Sequence, residues 1–128
     1  MKIDQQLIDT LFEQARNNPR LRQSYDLRTS AEDSSQRMLN ALLPGTQVAV
    51  HKHPKSNENV ILLVGKMDEI ICDAEGKEVE RIHLDPAAGN FGCVVPADTW
   101  HTVEVFGPSV IYEGKDGRYG ADGSVSLE

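Results

Sequence analysis

The chain has 128 residues, a formal net charge of −7, and 39% hydrophobic against 26% charged residues. That is enough chain for one domain with its own apolar core, and too apolar a composition for a disordered one. The acidic balance argues against the concentrated basic face that nucleic-acid binding needs, and no run of about 18 apolar residues offers a membrane span.

The start, Met1 to Gln14, lacks the apolar stretch of a secretory leader, so a soluble cytoplasmic protein is expected. Leu7, Ile8, Leu11, Phe12 and Ala15 recur at helical spacing on one face. Asp4 is placed to cap this helix, with Ile3 and Ile8 as a hydrophobic staple, and Asn17-Asn18-Pro19 ends it. The arginine-rich stretch from Arg20 to Arg28 and the polar run from Thr29 to Gln36 read as loop or a short turn of helix.

From Arg37 the texture changes to short apolar runs separated by turn residues. RMLNALL precedes Pro44-Gly45, TQVAVH precedes Pro54, and ENVILLV precedes Gly65. MDEIIC, EVERIHL, FGCVV, WHTVEVF and SVIYE follow, each closed by Gly, Pro or Asp. Strand-length runs without helical period between them predict an antiparallel sandwich or barrel rather than a βαβ fold. Cys72 and Cys93 sit in apolar runs without ligand-like spacing and are expected to be buried, reduced thiols.

Three of the four histidines fall in two clusters. In the first, His51 and His53 are two apart on a strand and so share a face. Pro54 to Asn57 can turn the chain so that Glu58 opens a returning strand beside them. Two imidazoles and a carboxylate suit a first-row divalent ion and leave coordination positions open. In the second cluster, Pro96 and Asp98 form a turn that delivers His101 from across the barrel. His83, in EVERIHL with no partner nearby, reads as a surface or structural histidine, and Trp100 as wall packing.

Gly45, His51, His53, Glu58 and Gly65 match the first cupin motif at every defined position. Gly89, Pro96 and His101 resemble the second, with six residues between Gly89 and Pro96 where five are usual, Asp98 in place of glycine and Val105 in place of asparagine. The resemblance implies a mainly β fold, a cupin double-stranded β-barrel (jelly-roll-like) preceded by an N-terminal α-helix. The domain is then single: residues 1–36 a helix and connecting segment packed on the barrel, 37–115 the cupin barrel, and 116–128 a flexible tail. The leading helix, Arg37 to Leu42, Pro44-Gly45-Thr46 and Trp100-His101-Thr102 look like the WbuC family of cupin-fold metalloproteins linked to surface-polysaccharide gene clusters. That family's C-terminal Glu-x-Lys-x-Gly-x-Tyr pattern stands here as Glu113 to Tyr119, with Arg118 where proline is expected.

The resemblance implies one divalent transition metal ion (Fe, Mn, Ni or Zn) held by His51, His53, Glu58 and His101. Strand parity sets Gln47 and Ala49 with His51, then Val60, Leu62 and Val64 with Glu58, as the mostly apolar pocket wall. Recognition of a sugar-derived small molecule would draw its polar groups from Arg37, Asn40, Gln47, Glu113, Lys115 and Tyr119. A metal-dependent enzyme, either an isomerase/epimerase or a dioxygenase, is the leading reading. A non-catalytic metal-containing module that binds or senses a small ligand is the alternative, and a purely structural metal is a third. ENVILLV is apolar on both faces, so its outer side needs a cover, either the N-terminal helix or a second subunit in a homodimer.

Overall fold

A computed structural model describes residues 1–118 and 122–127 of the chain. Helix α1 (Gln5–Arg16) starts where the sequence predicts: the Asp4 side chain caps it by accepting a hydrogen bond from the Leu7 amide at 3.0 Å. Among the described residues there follow β1 (Arg22–Asp26), β2 (Ser35–Leu42), β3 (His51–Lys52), β4 (Glu58–Cys72), β5 (Glu78–Leu84), β6 (Gly92–Val95), β7 (His101–Asp116) and β8 (Val125–Ser126). All named pairings are antiparallel. The chain is a mainly β, curled double-stranded β-helix with one N-terminal helix, the cupin architecture.

Strand β7 is the centre of the sheet. It pairs with β2 and β3 along one edge and with β4 along the other, while β4 carries β5 and β6 on its far side. Alternation along these strands divides the apolar residues into two cores. Leu42, Val60, Leu62, Met67, Leu84, Val105 and Ile111 pack inside the barrel. Leu39, Ala41, Leu43 and Val110 face outward and receive Leu11 and Ala15 of α1. Burying Leu11 in this way stabilises the fold by about 1.5–3 kcal/mol relative to exposure.

Two expected strand pairs are continuous. ENVILLV and MDEIIC join into β4, and WHTVEVF and SVIYE join into β7. Gly65 and the Gly107-Pro108 pair face each other, and the pairing shifts register at Leu62/Val64, Val64/Lys66 and Lys66/Met67. These irregularities bend both strands around the barrel instead of reversing them. They also change which residues of β4 point inward. Leu62 opposes Ile111 before the bend and Met67 opposes Val105 after it, so the inward face passes from even to odd numbers. Val64, expected on the inward face, is accordingly 39% exposed.

Other segments also differ from the sequence reading. TQVAVH contributes only its last residue to a strand, while Arg22–Asp26, expected as loop, pairs with Asp26↔Met38 through Arg22↔Leu42 as an edge strand. In the expected tail, Val125–Ser126 pairs with Lys52 and His51, an attachment only two residues long and therefore without a hydrophobic signature. Helix α1 covers β2 and not the outer side of β4, where Ile61 and Leu63 stay 43% and 41% exposed. Both cysteines are free, Cys72 buried and Cys93 half-buried. No helix among the described residues is long and apolar enough to cross a membrane.

Gly65 sits at φ +112°, and a Cβ there would lie 2.2 Å from Ser109 Oγ and 2.5 Å from Pro108 O. Backbone cannot yield cheaply, and the left-handed conformation adds strain. Gly65→Ala is expected to destabilise the protein by on the order of 2–3 kcal/mol in urea unfolding, and an unchanged midpoint would refute this reading of the bend.

Candidate metal centre

His51 and His101 are directly opposite in the β3–β7 pair, with ring centroids 4.2 Å apart. His53, two residues on, brings its ring to 5.1 Å from His51 and 5.3 Å from His101. The ligand nitrogens of all three lie within 4.8 Å of one another. Glu58 opens β4 on the inward face, with Oε2 3.0 Å from His53 Nε2 and Oε1 3.7 Å from His101 Nε2.

The other ring nitrogens fix how these imidazoles are presented. His51 Nδ1 donates to Ala49 O and His101 Nδ1 to Thr99 O, both at 2.9 Å. A carbonyl oxygen only accepts, so each Nδ1 carries a proton, and Nε2 is the nitrogen left to meet an ion at the common point. His53 Nδ1 lies 2.6 Å from Ser124 Oγ and 3.1 Å from Asp122 Oδ2. Asp122 in turn forms an ion pair with Lys115 Nζ at 2.7 Å. The stretch around β8 therefore holds the back of His53.

The turn of the second cluster is docked on the first. The Asp98 amide donates to His53 O at 2.8 Å, and Asp98 Oδ1 pairs with Lys52 Nζ at 2.7 Å. Asp98 has φ 61°, the left-handed conformation in which glycine is commonest and which aspartate tolerates better than most residues. Asn57 Oδ1 accepts from the Ala97 amide at 2.8 Å, tying the turn before Glu58 to the turn before His101. Lys52 also lies 4.8 Å over the Trp100 ring, which fits a packing role for Trp100.

Electrostatics favour a cation. Burial, and then the neighbouring His101, hold His51 below the usual histidine range, so it is neutral at pH 7. For His53 burial is the largest influence and acts downward, but Glu58 outweighs it and the net shift is upward. Burial would raise Glu58, yet the facing His101 and His53 hold it at about 2. Burial, reinforced by Glu58 and Glu113, pushes Glu69 well above the carboxylate range, and burial with Glu58 lifts Glu113 to about 7. The donor set fits a divalent ion for a specific reason: His53 Nε2 and His101 Nε2 are buried and make no hydrogen bond among the described residues. The 3.0 Å approach of Glu58 to His53 is a charge contact without hydrogen-bond alignment. Buried nitrogens of this kind need a partner, and a metal ion is one that accepts several imidazoles and a carboxylate at once.

The cluster lies in a cavity of about 640 Å³ whose walls include Met38, Asn40, Leu42, Val60, Val103 and Ile111. Of the expected recognition residues, Asn40 and Glu113 face this cavity and are joined, Asn40 Nδ2 donating to Glu113 Oε1 at 3.1 Å. Gln36 joins them, its Nε2 3.4 Å from Glu113 Oε2 and its Oε1 buried without a hydrogen bond. Lys115 is turned into the protein against Asp122 and the Gly117 carbonyl. Arg37 points outward and pairs with Asp33, because β2 places odd residues on its outer face. Gln47 is exposed and away from the cavity wall, and Tyr119 lies outside the described residues. His83 is on the surface, its Nδ1 2.7 Å from Asp68 Oδ1.

Four residues of the site are not apparent in the motifs. Asp122 and Ser124 arrive through the fold-back of the C-terminal stretch, which has no local signal. Glu69 is hidden by the change of phase in β4, and Gln36 by its place in a polar run.

No curated protein matches the chain. Among solved structures it is similar to the capsular polysaccharide assembling protein CapF from Staphylococcus aureus, at 18% identity and TM-score 0.70 over 87% of this chain and 33% of CapF. It is similar to TT1209 from Thermus thermophilus, at 24% identity and TM-score 0.66 over 92% of this chain and 99% of that one. An uncharacterized conserved protein with a double-stranded β-helix domain from Klebsiella pneumoniae matches at 14% identity and TM-score 0.61, over 83% of this chain and 80% of that one. The chain thus spans about a third of the length of CapF, and the likenesses show the fold. A family model described as a domain of unknown function (DUF6016) matches residues 3–84, from the helix through His51, His53 and Glu58 to the end of β5. The match covers more than half of the chain, which belongs to that family.

Proposed function

We propose that the protein binds one divalent transition metal ion through His51, His53, Glu58 and His101 and acts on a small sugar-derived molecule in surface-polysaccharide synthesis. The observation that carries the metal reading is the convergence of imidazoles whose Nδ1 atoms are engaged behind them, leaving Nε2 as the free donor. Polysaccharide synthesis is supported by the resemblance to the WbuC family and by the fold shared with CapF, itself a capsular polysaccharide assembling protein.

Isomerase or epimerase chemistry suits the cavity better than a dioxygenase reaction. Glu113, lifted by burial and the Glu58 charge to about 7, is the residue able to take and return a proton near neutral pH. Asn40 and Gln36 orient its carboxyl, and the apolar wall of Val60, Val103 and Ile111 keeps bulk water from it. A bound divalent ion would supply Lewis acidity, polarising an oxygen of the substrate next to the carbon that loses its proton. The alternative, a binding module without turnover, shares the metal and the cavity and differs only in lacking this proton transfer.

His51→Ala or His101→Ala is expected to lower bound metal several-fold with the fold retained, measured by elemental analysis and circular dichroism. Full loading of the double variant would contradict the assignment. Asp122→Ala frees His53 from its support and is expected to weaken metal affinity by about 10–100-fold; affinity equal to wild type would remove the tail from the site. For the reaction, a nucleotide-sugar panel incubated in deuterium oxide is expected to show mass gain in one substrate with wild type and none with Glu113→Gln. No exchange on any substrate would favour the binding module.

We infer in addition a homodimer formed through the outer face of β4 and β6, where Ile61, Leu63 and Val94 (57% exposed) remain uncovered. Sedimentation equilibrium is expected to give twice the chain mass, and a monomer at high concentration would contradict it.

A further inference from the structure

Glu69 has no place in the four-residue donor set, yet it is 2% exposed, lines the same cavity, and has no hydrogen bond or ion pair among the described residues. The bend in β4 turns it inward beside Val103, its partner across the β4–β7 pair. Donor atoms of Glu58, Glu69 and His101 all lie within 4.8 Å of one another, as do those of His51, His53 and His101. The two triads share His101, whose Nε2 is buried and makes no hydrogen bond among the described residues. Donors on opposite sides of one ion, each bonded at about 2.1 Å, stand about 4.2 Å apart, so closing both triads on one ion requires their side chains to rotate inward about the shared His101.

We propose, resting on the metal reading above, that Glu69 is a fifth protein donor, making a centre of three imidazoles and two carboxylates. A carboxyl buried beside Glu58 and Glu113 without a counter-charge is costly, and a divalent cation offsets two such negative charges. The centre is then neutral overall. A second carboxylate tilts its preference from the softer ions of an imidazole-rich site toward manganese and iron(II). A six-coordinate ion keeps one open position rather than two, so a substrate binds it through a single oxygen and its remaining groups are read by Asn40 and Glu113.

The test is titration of the metal-free protein with Co(II), following affinity and the visible absorption that reports coordination number, in wild type, Glu69→Gln and Glu69→Asp. Glu69→Gln is expected to weaken Co(II) binding at least about ten-fold and to shift the absorption. Glu69→Asp is expected to recover part of the affinity. Wild type that binds one Co(II), with Glu69→Gln unchanged in affinity and spectrum, would overturn the role of Glu69 alone. Wild type that binds no Co(II) would overturn the metal reading and this proposal together.

Discussion

The pairing of β4 with β7, from Glu58↔Lys115 to Ile71↔His101, is the constraint on which the other features depend. It spans nearly the whole of both strands, so it sets the curl of the sheet and brings Glu58 at one end and His101 at the other into a single interior. The irregularities around Gly65 make this possible. A straight pair of this length would be a flat ribbon with its ends far apart. Between Leu62↔Ile111 and Met67↔Val105 β7 takes up one residue more than β4, so the pair bends and the inward face of β4 changes parity, while β7 keeps His101, Val103, Val105, Ile111 and Glu113 on the same side.

That geometry produces an unusual interior. Three carboxyls, those of Glu58, Glu69 and Glu113, share a cavity with three imidazoles and the amides of Gln36 and Asn40, between aliphatic side chains and a polar side that includes Arg20 and Arg22. The positive charge of Lys115 is taken up by Asp122 behind His53. In water such groups would be solvated separately; enclosed together they favour either proton uptake or a cation. Burial beside like charge lifts Glu69 and Glu113 above the carboxylate range, and two of the imidazole nitrogens lack a hydrogen-bond partner among the described residues. The cost of this interior without an ion is what the proposed metal would offset.

Much of this is legible in the residues because it rests on short-range rules. The helix reads from its period and its Asp4 cap, and the inward sharing of His51 and His53 reads from strand alternation. Asn40 and Glu113 are legible as polar groups in otherwise apolar strands, which need partners when buried. What is not legible depends on events at a distance. Glu69 counts as out of phase with Glu58 unless the bend at Gly65 is known, and the bend is defined only by what lies across from it in β7. Asp122 and Ser124 belong to a glycine-rich stretch whose composition suggests a free tail, and only the two-residue pairing of Val125–Ser126 with β3 carries them to His53. Arg37 reads as a polar group for the cavity, but β2 lines that cavity with its even residues and turns Arg37 away.

The account stands on three imidazole nitrogens and a carboxylate being aimed at a single point. X-ray absorption spectroscopy at the metal edge of protein loaded with one equivalent of Fe(II) or Mn(II) measures this directly. The structure predicts a shell of nitrogen and oxygen donors at about 2.0–2.2 Å, with outer scattering from three imidazole rings. A shell of water oxygens with one imidazole or none would show that the histidines are packed together for another reason.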